Sequence, residues 1–145
     1  FDGISRDELE KLTPQDKFVR MEPAFIQLFN SYQYLSRVLF DTHLIVVIRK
    51  NEKVATENIW SPNYLPFIKH AIFVTADPEV ISQRRIHDFE TTGRKRDPNV
   101  QNINDDQNWN YEEFQRSVQP YVRSTVVDNT GDFRAQVQTI IATVQ

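Results

Sequence analysis

The chain alternates between two kinds of apolar pattern, and this alternation limits its fold more than any other feature. Short runs rich in β-branched and aromatic residues predict strands, whereas segments with an apolar residue at every third or fourth position predict helices. The strand-like runs are 37–43, 44–48, 71–75 and 125–127, and the helix-like segments are 13–34, 78–93 and 133–144. Strands that alternate with helices require crossover connections, so we expect an α/β fold with a parallel sheet flanked by helices.

The segment 78–93 has the sharpest predicted boundaries. Asp77 is suited to cap the helix, Pro78 fits the first helical position, and Gly93 is suited to end it. Two polar stretches connect the predicted elements, and the sequence does not indicate whether the first of them is ordered. We interpret 49–66 as a long excursion and 99–110 as a solvated connector.

Length and composition indicate one soluble domain. The chain has 145 residues, of which 39% are hydrophobic, and its formal charge is −3. This mild acidity argues against a general binder of nucleic acids or anionic membranes, because both need clustered positive charge. Cysteine is absent, which excludes thiolate metal sites and cysteine nucleophiles, and no apolar run reaches the roughly 18–20 residues of a membrane helix. We therefore expect a soluble, intracellular protein and assign no compartment.

Polar residues follow the predicted strands, at the edge where a parallel sheet binds ligands. These residues are Asp41, Thr42, His43, Asp77, Asp128 and Asn129. An acid in such a place can hold Mg²⁺ directly or through water in a nucleotide site, and a nearby histidine can orient a water or a phosphate. The alternative is structural, with Asp41 capping a turn and His43 packing into the next apolar run.

A basic cluster lies between residues 84 and 97. Five Lys or Arg residues face three Asp or Glu residues there, within a chain that is acidic as a whole. Guanidinium groups at a helix end and in the adjoining loop are suited to clamp phosphates, because several planar donors can neutralise charge on a transferred phosphoryl group. The alternative is an ordinary solvated helix face, on which Asp88 and Glu90 pair with the arginines.

Several common catalytic motifs are missing from the sequence. It contains no GxxxxGK(S/T) loop, no GxSxG, no GxGxxG and no histidine-rich metal set. Hydrolases with a GxSxG nucleophile, zinc enzymes and Rossmann dinucleotide enzymes therefore have no sequence support.

Six short segments, taken in order, carry a family pattern. They are 6–12 (RDxxxKL), 39–43 (two apolar residues, then DTH), 64–66 (the YLP of a GYLPGLP turn), 76–85 (ADPxxIxxRR), 94–97 (RxRD) and 124–129 (a closing strand and turn). Together they resemble the archaeal-type adenylate kinases, which are small P-loop nucleoside monophosphate kinases. The resemblance covers nearly the whole chain.

The resemblance implies transfer of the γ-phosphoryl group of ATP to AMP or a similar monophosphate, with Mg²⁺ as cofactor, on a five-stranded parallel sheet. The implied catalytic residues are Asp41, His43, Arg85, Arg94 and Arg96, with Asp41 also as the metal ligand; Arg6, Arg49 and Tyr64 are implied for substrate binding, and Asp128 and Asn129 for nucleotide binding. The implied regions are a monophosphate-binding region at about 1–36, core strands and connector at 37–77, a lid at about 78–116, and a C-terminal strand and helix at 117–145.

The family's first strand and P-loop are absent from the sequence, and in a rough alignment they would occupy about 45 residues ahead of it. One interpretation is a longer kinase, in which an upstream segment or a protein partner completes the sheet and ATP and a nucleoside monophosphate are the ligands. The other is a catalytically silent, kinase-like module that acts in protein or ribonucleoprotein assembly.

Overall fold

The computed structural model describes residue 8 and residues 11–32, 34, 35, 39, 41–50 and 53–144. The chain divides into two compact units, Phe1–Phe67 and Ile68–Gln145. Within the described ranges, no helix has both the length and the apolar character that crossing a membrane requires. The predicted single domain with four regions stays a prediction.

The first unit combines a long helix with a β-hairpin. Helix α1 spans Pro14–Tyr32, strand β1 spans Ile45–Lys50, strand β2 spans Lys53–Asn58, and a 3₁₀ helix spans Pro62–Phe67. The hairpin is antiparallel, with Ile45 opposite Asn58 and Lys50 opposite Lys53. Helix α1 confirms the helix predicted for 13–34, and β1 confirms the strand predicted for 44–48.

Aromatic rings form the centre of the first unit. Tyr64 is only 5% exposed, and its ring centroid lies 6.0 Å from that of Phe25, 5.8 Å from that of Phe29 and 5.5 Å from that of Trp60. All three pairs are edge-to-face, a geometry that adds about 0.5–1.5 kcal/mol per pair beyond the burial of apolar area. These contacts fix the 3₁₀ helix against α1.

The described residues of the first predicted strand, 39 and 41–43, lie outside regular structure. Leu39 lies outside regular structure and is 87% exposed, whereas Val38 and Phe40 lie outside the described residues. The strand begins only at Ile45, because the run that follows Leu44 is continuous in β-branched residues and finds a partner along its whole length in β2.

The segment 49–66, whose order the sequence did not indicate, contains the end of β1, all of β2 and the 3₁₀ helix. The sequence of β2 is mostly polar, but Val54 and Thr56 are β-branched, and both are exposed. Backbone pairing with β1 stabilises this strand. Because such pairing needs no apolar side chains, the sequence pattern does not indicate the strand.

The second unit contains a pair of parallel strands and their helices. Strand β3 spans Ala71–Thr75, helix α2 spans Pro78–Thr92, helix α3 spans Val100–Ser117, strand β4 spans Ser124–Asp128, and helix α4 spans Phe133–Val144. The strands are parallel, with Ala71 opposite Ser124 and Thr75 opposite Asp128. This arrangement confirms a mixed α/β fold with a parallel sheet. The sheets among the described residues are this pair and the antiparallel hairpin, not five parallel strands.

Helix α2 begins and ends where the sequence predicts. The Asp77 carboxylate accepts hydrogen bonds from the backbone N–H groups of Glu79 at 2.8 Å and Val80 at 3.4 Å. Gly93 has a φ of 72°, a left-handed conformation that suits a residue without a Cβ, and its N–H donates to the Phe89 carbonyl at 2.9 Å. The chain therefore leaves α2 in a fixed direction.

We expect Asp77 to contribute to the loss of stability in acid. A side-chain hydrogen bond with Glu79, together with the backbone N–H groups of Glu79 and Val80, lowers the pKa of Asp77. A carboxylate with a lowered pKa stabilises the fold above its unfolded pKa of about 3.9, and this contribution is lost as the pH falls through the folded pKa.

Asp77→Asn keeps a capping oxygen but removes the titration. Thermal melts from about pH 6 to pH 2.5 should show a smaller acid-dependent fall in Tm for this variant than for the wild type. Superimposable pH profiles would rule out a contribution from Asp77.

The predicted connector at 99–110 is helical and belongs to α3. The Asn99 side chain caps this helix by accepting from the Asn102 N–H at 2.9 Å. Ile103 is 1% exposed and Phe114 is 3% exposed, so the helix buries a sparse apolar stripe. The sequence did not predict this helix because it is rich in Asn and Asp, and these residues are typical of caps, turns and solvated loops.

Candidate functional site

Polar side chains of the second unit meet at the carboxyl edge of β3 and β4. Asp77 follows β3, Asp128 ends β4, and the Asn129 N–H donates to the Thr75 carbonyl at 2.7 Å, which extends the strand pairing by one residue. The structure thus brings Asp77, Asp128 and Asn129 to one edge, as the carboxyl ends of parallel strands require.

Thr130 connects the backbone of Asp77 to the carboxylate of Asp128. Its hydroxyl accepts from the Asp77 N–H at 2.8 Å and donates to the Asp128 carboxylate at 2.5 Å, and its own N–H donates to Asp128 at 2.9 Å. The side-chain hydrogen bond from Thr130 lowers the pKa of Asp128, while the charge of Asp77 opposes this shift. Both carboxylates are therefore ionised at neutral pH.

Arg84 fixes the turn after β4. Its Nη1 donates to the Asn129 carbonyl at 2.8 Å, and its Nη2 lies 3.5 Å from the Thr130 carbonyl. The guanidinium thereby ties helix α2 to the edge residues, and its role in this structure is positioning.

Gln107, which the sequence analysis missed, supports the end of β3. Its Oε1 accepts from the Ala76 N–H and from the Thr75 hydroxyl, and its Nε2 donates to the Ala76 carbonyl, all at 3.0 Å. Ala76 is 8% exposed, so these backbone groups have little access to water. A glutamine in a stretch interpreted as a connector gave no signal of this role.

Gln107→Ala should destabilise the second unit by about 1–3 kcal/mol, because it leaves buried backbone groups of Ala76 without their partners. Urea unfolding of the variant measures this loss. Gln101→Ala is the matched control, since Gln101 is exposed on the same helix and the one bond of its side chain to a described residue is to Asp105, four residues on. Equal stability of the two variants would contradict the role given to Gln107.

A second feature of this unit is a groove of about 330 Å³ between α2 and the segment 94–98. Its lining residues are Arg85, Ile86, Phe89, Lys95, Arg96 and Pro98. Cationic and apolar side chains thus share one surface.

Hydrogen bonds hold the end of the 94–98 segment against α2. The Arg85 Nη1 donates to the Asp97 carbonyl at 2.5 Å, and the buried Ser82 hydroxyl donates to the Pro98 carbonyl at 2.6 Å. The Asp97 carboxylate accepts from the Asn99 N–H at 2.9 Å, which joins the segment to the cap of α3. With Gly93 fixed at the other end, residues 94–96 form a short bridge with both ends anchored.

The bridge presents unneutralised positive charge. Arg94, Lys95 and Arg96 are all exposed. In the part of the chain that the structure describes, no carboxylate forms an ion pair with these residues or with Arg85, whereas Arg116 does pair with Glu113. The alternative in which Asp88 and Glu90 neutralise the cluster is therefore not observed. Clustered cations without counter-charges attract anions.

The other predicted site residues lie in the first unit or outside the described residues. Arg6 lies outside them. Asp41 and His43 are exposed and lie before β1, outside regular structure. Arg49 lies within β1, and Tyr64 lies in the 3₁₀ helix.

Tyr64 is a core residue of the first unit. Burial, together with the negative charge of Glu22, raises the pKa of Tyr64 to about 12, so the phenol stays protonated. Glu22 itself accepts hydrogen bonds from the Ser61 hydroxyl and the Asn63 amide. A substrate-binding role for Tyr64 stays a prediction.

The described residues do not form a preassembled metal site. Across 11–32, 41–50 and 53–144, no group of three or more His, Asp or Glu side chains could hold a metal ion. Mg²⁺ in nucleotide sites needs only one or two carboxylates, because phosphates and water supply the other ligands. The exposed Asp41 carboxylate fits this smaller requirement.

No protein-family model matches the chain, and neither a curated protein sequence nor a solved structure shows significant similarity to it. The chemistry of the edge and the bridge is therefore the basis for assigning a function.

Proposed function

We propose that the chain is part of a nucleoside monophosphate kinase-like phosphotransferase, which moves the γ-phosphoryl group of ATP to AMP or a similar monophosphate. The observation that carries the proposal is the cationic bridge. Three cations at 94–96 and the nearby Arg85 have no carboxylate partner among the described residues, and hydrogen bonds anchor both ends of the bridge. A preorganised set of this kind suits an anion whose charge is spread over several oxygens.

The bridge would act on the phosphates as a clamp. Arg94 and Arg96 would donate charge-assisted hydrogen bonds to phosphate oxygens, which are roughly twice as strong as neutral ones. Arg85 would approach from the helix, with its orientation set by the Asp97 carbonyl. Binding here would neutralise the charge that develops on the transferred group.

The metal and the acceptor would involve the first unit. Mg²⁺, when bound, neutralises charge on the phosphates of ATP, and Asp41 would hold it directly or through water. His43 would orient a water or a phosphate nearby, and Arg6, Arg49 and Tyr64 would bind the monophosphate.

The proposed fold is the P-loop kinase fold. The parallel pair β3–β4 would form part of its sheet, and an upstream segment or a protein partner would supply further strands. Asp128 and Asn129, at the carboxyl edge, would lie beside the nucleotide.

A coupled assay for ADP formation tests the proposal. The full-length protein should form ADP from ATP and at least one of AMP, CMP, UMP and dTMP, in a reaction that requires Mg²⁺. Absence of turnover with all four acceptors would overturn the enzymatic proposal.

The second candidate is a silent, kinase-like module that acts in protein or ribonucleoprotein assembly. Its expected outcome is binding of tripolyphosphate, measured by calorimetry, without any turnover. Turnover would exclude it.

A further inference from the structure

The groove beside the bridge has an apolar floor that phosphate binding does not require. Ile86 is 45% exposed and Phe89 is 48% exposed, and Pro98 completes this surface. Phe89 lies three residues after Ile86 and four after Arg85, so all three side chains project from one face of α2. Apolar contact does not strengthen the binding of a phosphate. A ligand with an apolar group of its own binds more tightly when that group covers this floor, because apolar surface is removed from water.

The polar groups of the groove are almost entirely donors. Its lining side chains are cationic or apolar, and none is an acceptor. Two backbone carbonyls of the 94–98 segment are already engaged, since the Asp97 carbonyl accepts from Arg85 and the Pro98 carbonyl accepts from Ser82. A nucleobase has donors as well as acceptors on its edge, and its donors would find no side-chain partner in this lining.

We infer that this groove docks an acidic peptide segment that presents an apolar side chain between carboxylates. The carboxylates complement Arg85, Lys95 and Arg96, and the apolar side chain covers Ile86 and Phe89. The volume of 330 Å³ is at the lower end of the range of about 300–1,000 Å³ for ligand sites, so it admits one anchor and its flanks.

Peptide docking goes beyond the proposed function. Its expected effect on phosphate binding, however, rests on that proposed function. Because Lys95 and Arg96 belong to the bridge, a bound peptide would compete with phosphate for the same cations. A partner of this chemistry would therefore inhibit phosphate binding.

The test is fluorescence anisotropy with a labelled octapeptide, Asp-Glu-Asp-Leu-Phe-Glu-Asp-Glu. A second peptide, in which serine replaces Leu and Phe, has the same charge and should bind at least about tenfold more weakly, as expected for loss of a buried anchor. Unlabelled tripolyphosphate should displace the first peptide.

Two variants of the protein distinguish the contribution of the apolar floor to binding from that of the positive charge. Phe89→Ala should weaken binding of the first peptide by about tenfold and leave tripolyphosphate binding within about twofold, whereas Lys95→Glu should weaken both. Tyr121→Ala is the control, because Tyr121 is a 69% exposed aromatic residue that does not line the groove.

Equal binding of the two peptides, or no effect of Phe89→Ala on the first, would overturn the inference. The inference would also be overturned if Phe89→Ala weakened binding of AMP or oligouridylate but not of the first peptide. The occupant of the groove would then be a nucleobase. Peptide binding without tripolyphosphate binding would instead support docking and contradict the phosphate clamp.

Discussion

Arg96→Ala should lower kcat/KM for phosphoryl transfer by about 10²-fold or more, the usual cost of removing one preorganised donor to a transition state. Arg96 is exposed, and no described residue forms an ion pair with it, so its charge is available for a ligand. Because a clamp acts most strongly when charge has developed on the transferred group, kcat should fall more than KM rises. The coupled assay, run across ATP concentrations, separates the two parameters.

The Tm of Arg96→Ala should match that of the wild type, since an exposed side chain without described partners contributes little to folding. Arg134→Ala is the matched control, because Arg134 is also exposed but lies on α4 and does not line the groove. It should leave both kcat and KM unchanged. Parallel loss of Tm and activity in Arg96→Ala would make Arg96 structural, and unchanged kinetics would make the bridge an ordinary solvated surface.

Helix α2 was predictable because its boundaries are set by residues within the helix and next to it. Asp77 caps the first turn through its own carboxylate, and Gly93 ends the helix by adopting a positive φ. Neither effect depends on distant parts of the chain. The pair β3–β4 was predictable for a similar reason, since its runs are short, apolar and bounded by polar residues.

Strand β2 and helix α3 were missed because their stability depends on distant partners. Strand β2 exists through backbone pairing with β1, and its side chains carry little apolar pattern. Helix α3 buries Ile103 and Phe114 within a sequence rich in amides. Local propensity is a weak guide where tertiary contacts decide the structure.

The candidate site also contains both features that the sequence predicts and features that it does not. Asp128 and Asn129 were predictable at the edge, because parallel strands align their carboxyl ends. Asp41 lies before β1, and most of the strand predicted ahead of it lies outside the described residues, so its place at a strand end stays a prediction. The basic cluster was visible in the sequence, but its apolar floor was not, because the groove exists only where the 94–98 segment is held against α2.

The packing of the second unit can be tested at Phe114, which joins α3 to the sheet. Phe114 is 3% exposed, and its ring centroid lies 5.3 Å from that of Phe73 on β3. Tyr111 completes the cluster, with its centroid 5.1 Å from that of Phe73. The Phe114 carbonyl accepts the Val118 and Gln119 N–H groups that close α3, and a side-chain substitution leaves these bonds in place.

Phe114→Ala should therefore lower the free energy of unfolding by about 3–5 kcal/mol, which is the sum of lost apolar burial and the cavity left behind. In a unit of this size the corresponding fall in Tm exceeds about 10 °C. Phe114→Leu retains most of the volume and should cost less than about 1.5 kcal/mol. Tyr121→Ala, at a 69% exposed aromatic position, should cost less than about 0.5 kcal/mol.

Urea unfolding followed by the fluorescence of Trp109 measures these losses for the second unit alone, provided that every variant also carries Trp60→Phe. Trp60 belongs to the first unit and Trp109 to α3, and they are the two tryptophans of the chain. The expected order of stability is Tyr121→Ala, then Phe114→Leu, then Phe114→Ala. If Phe114→Ala is as stable as Tyr121→Ala, the aromatic cluster does not stabilise the packing of α3 against β3. The hydrogen bonds between Gln107 and Ala76 would then be the contact that stabilises it.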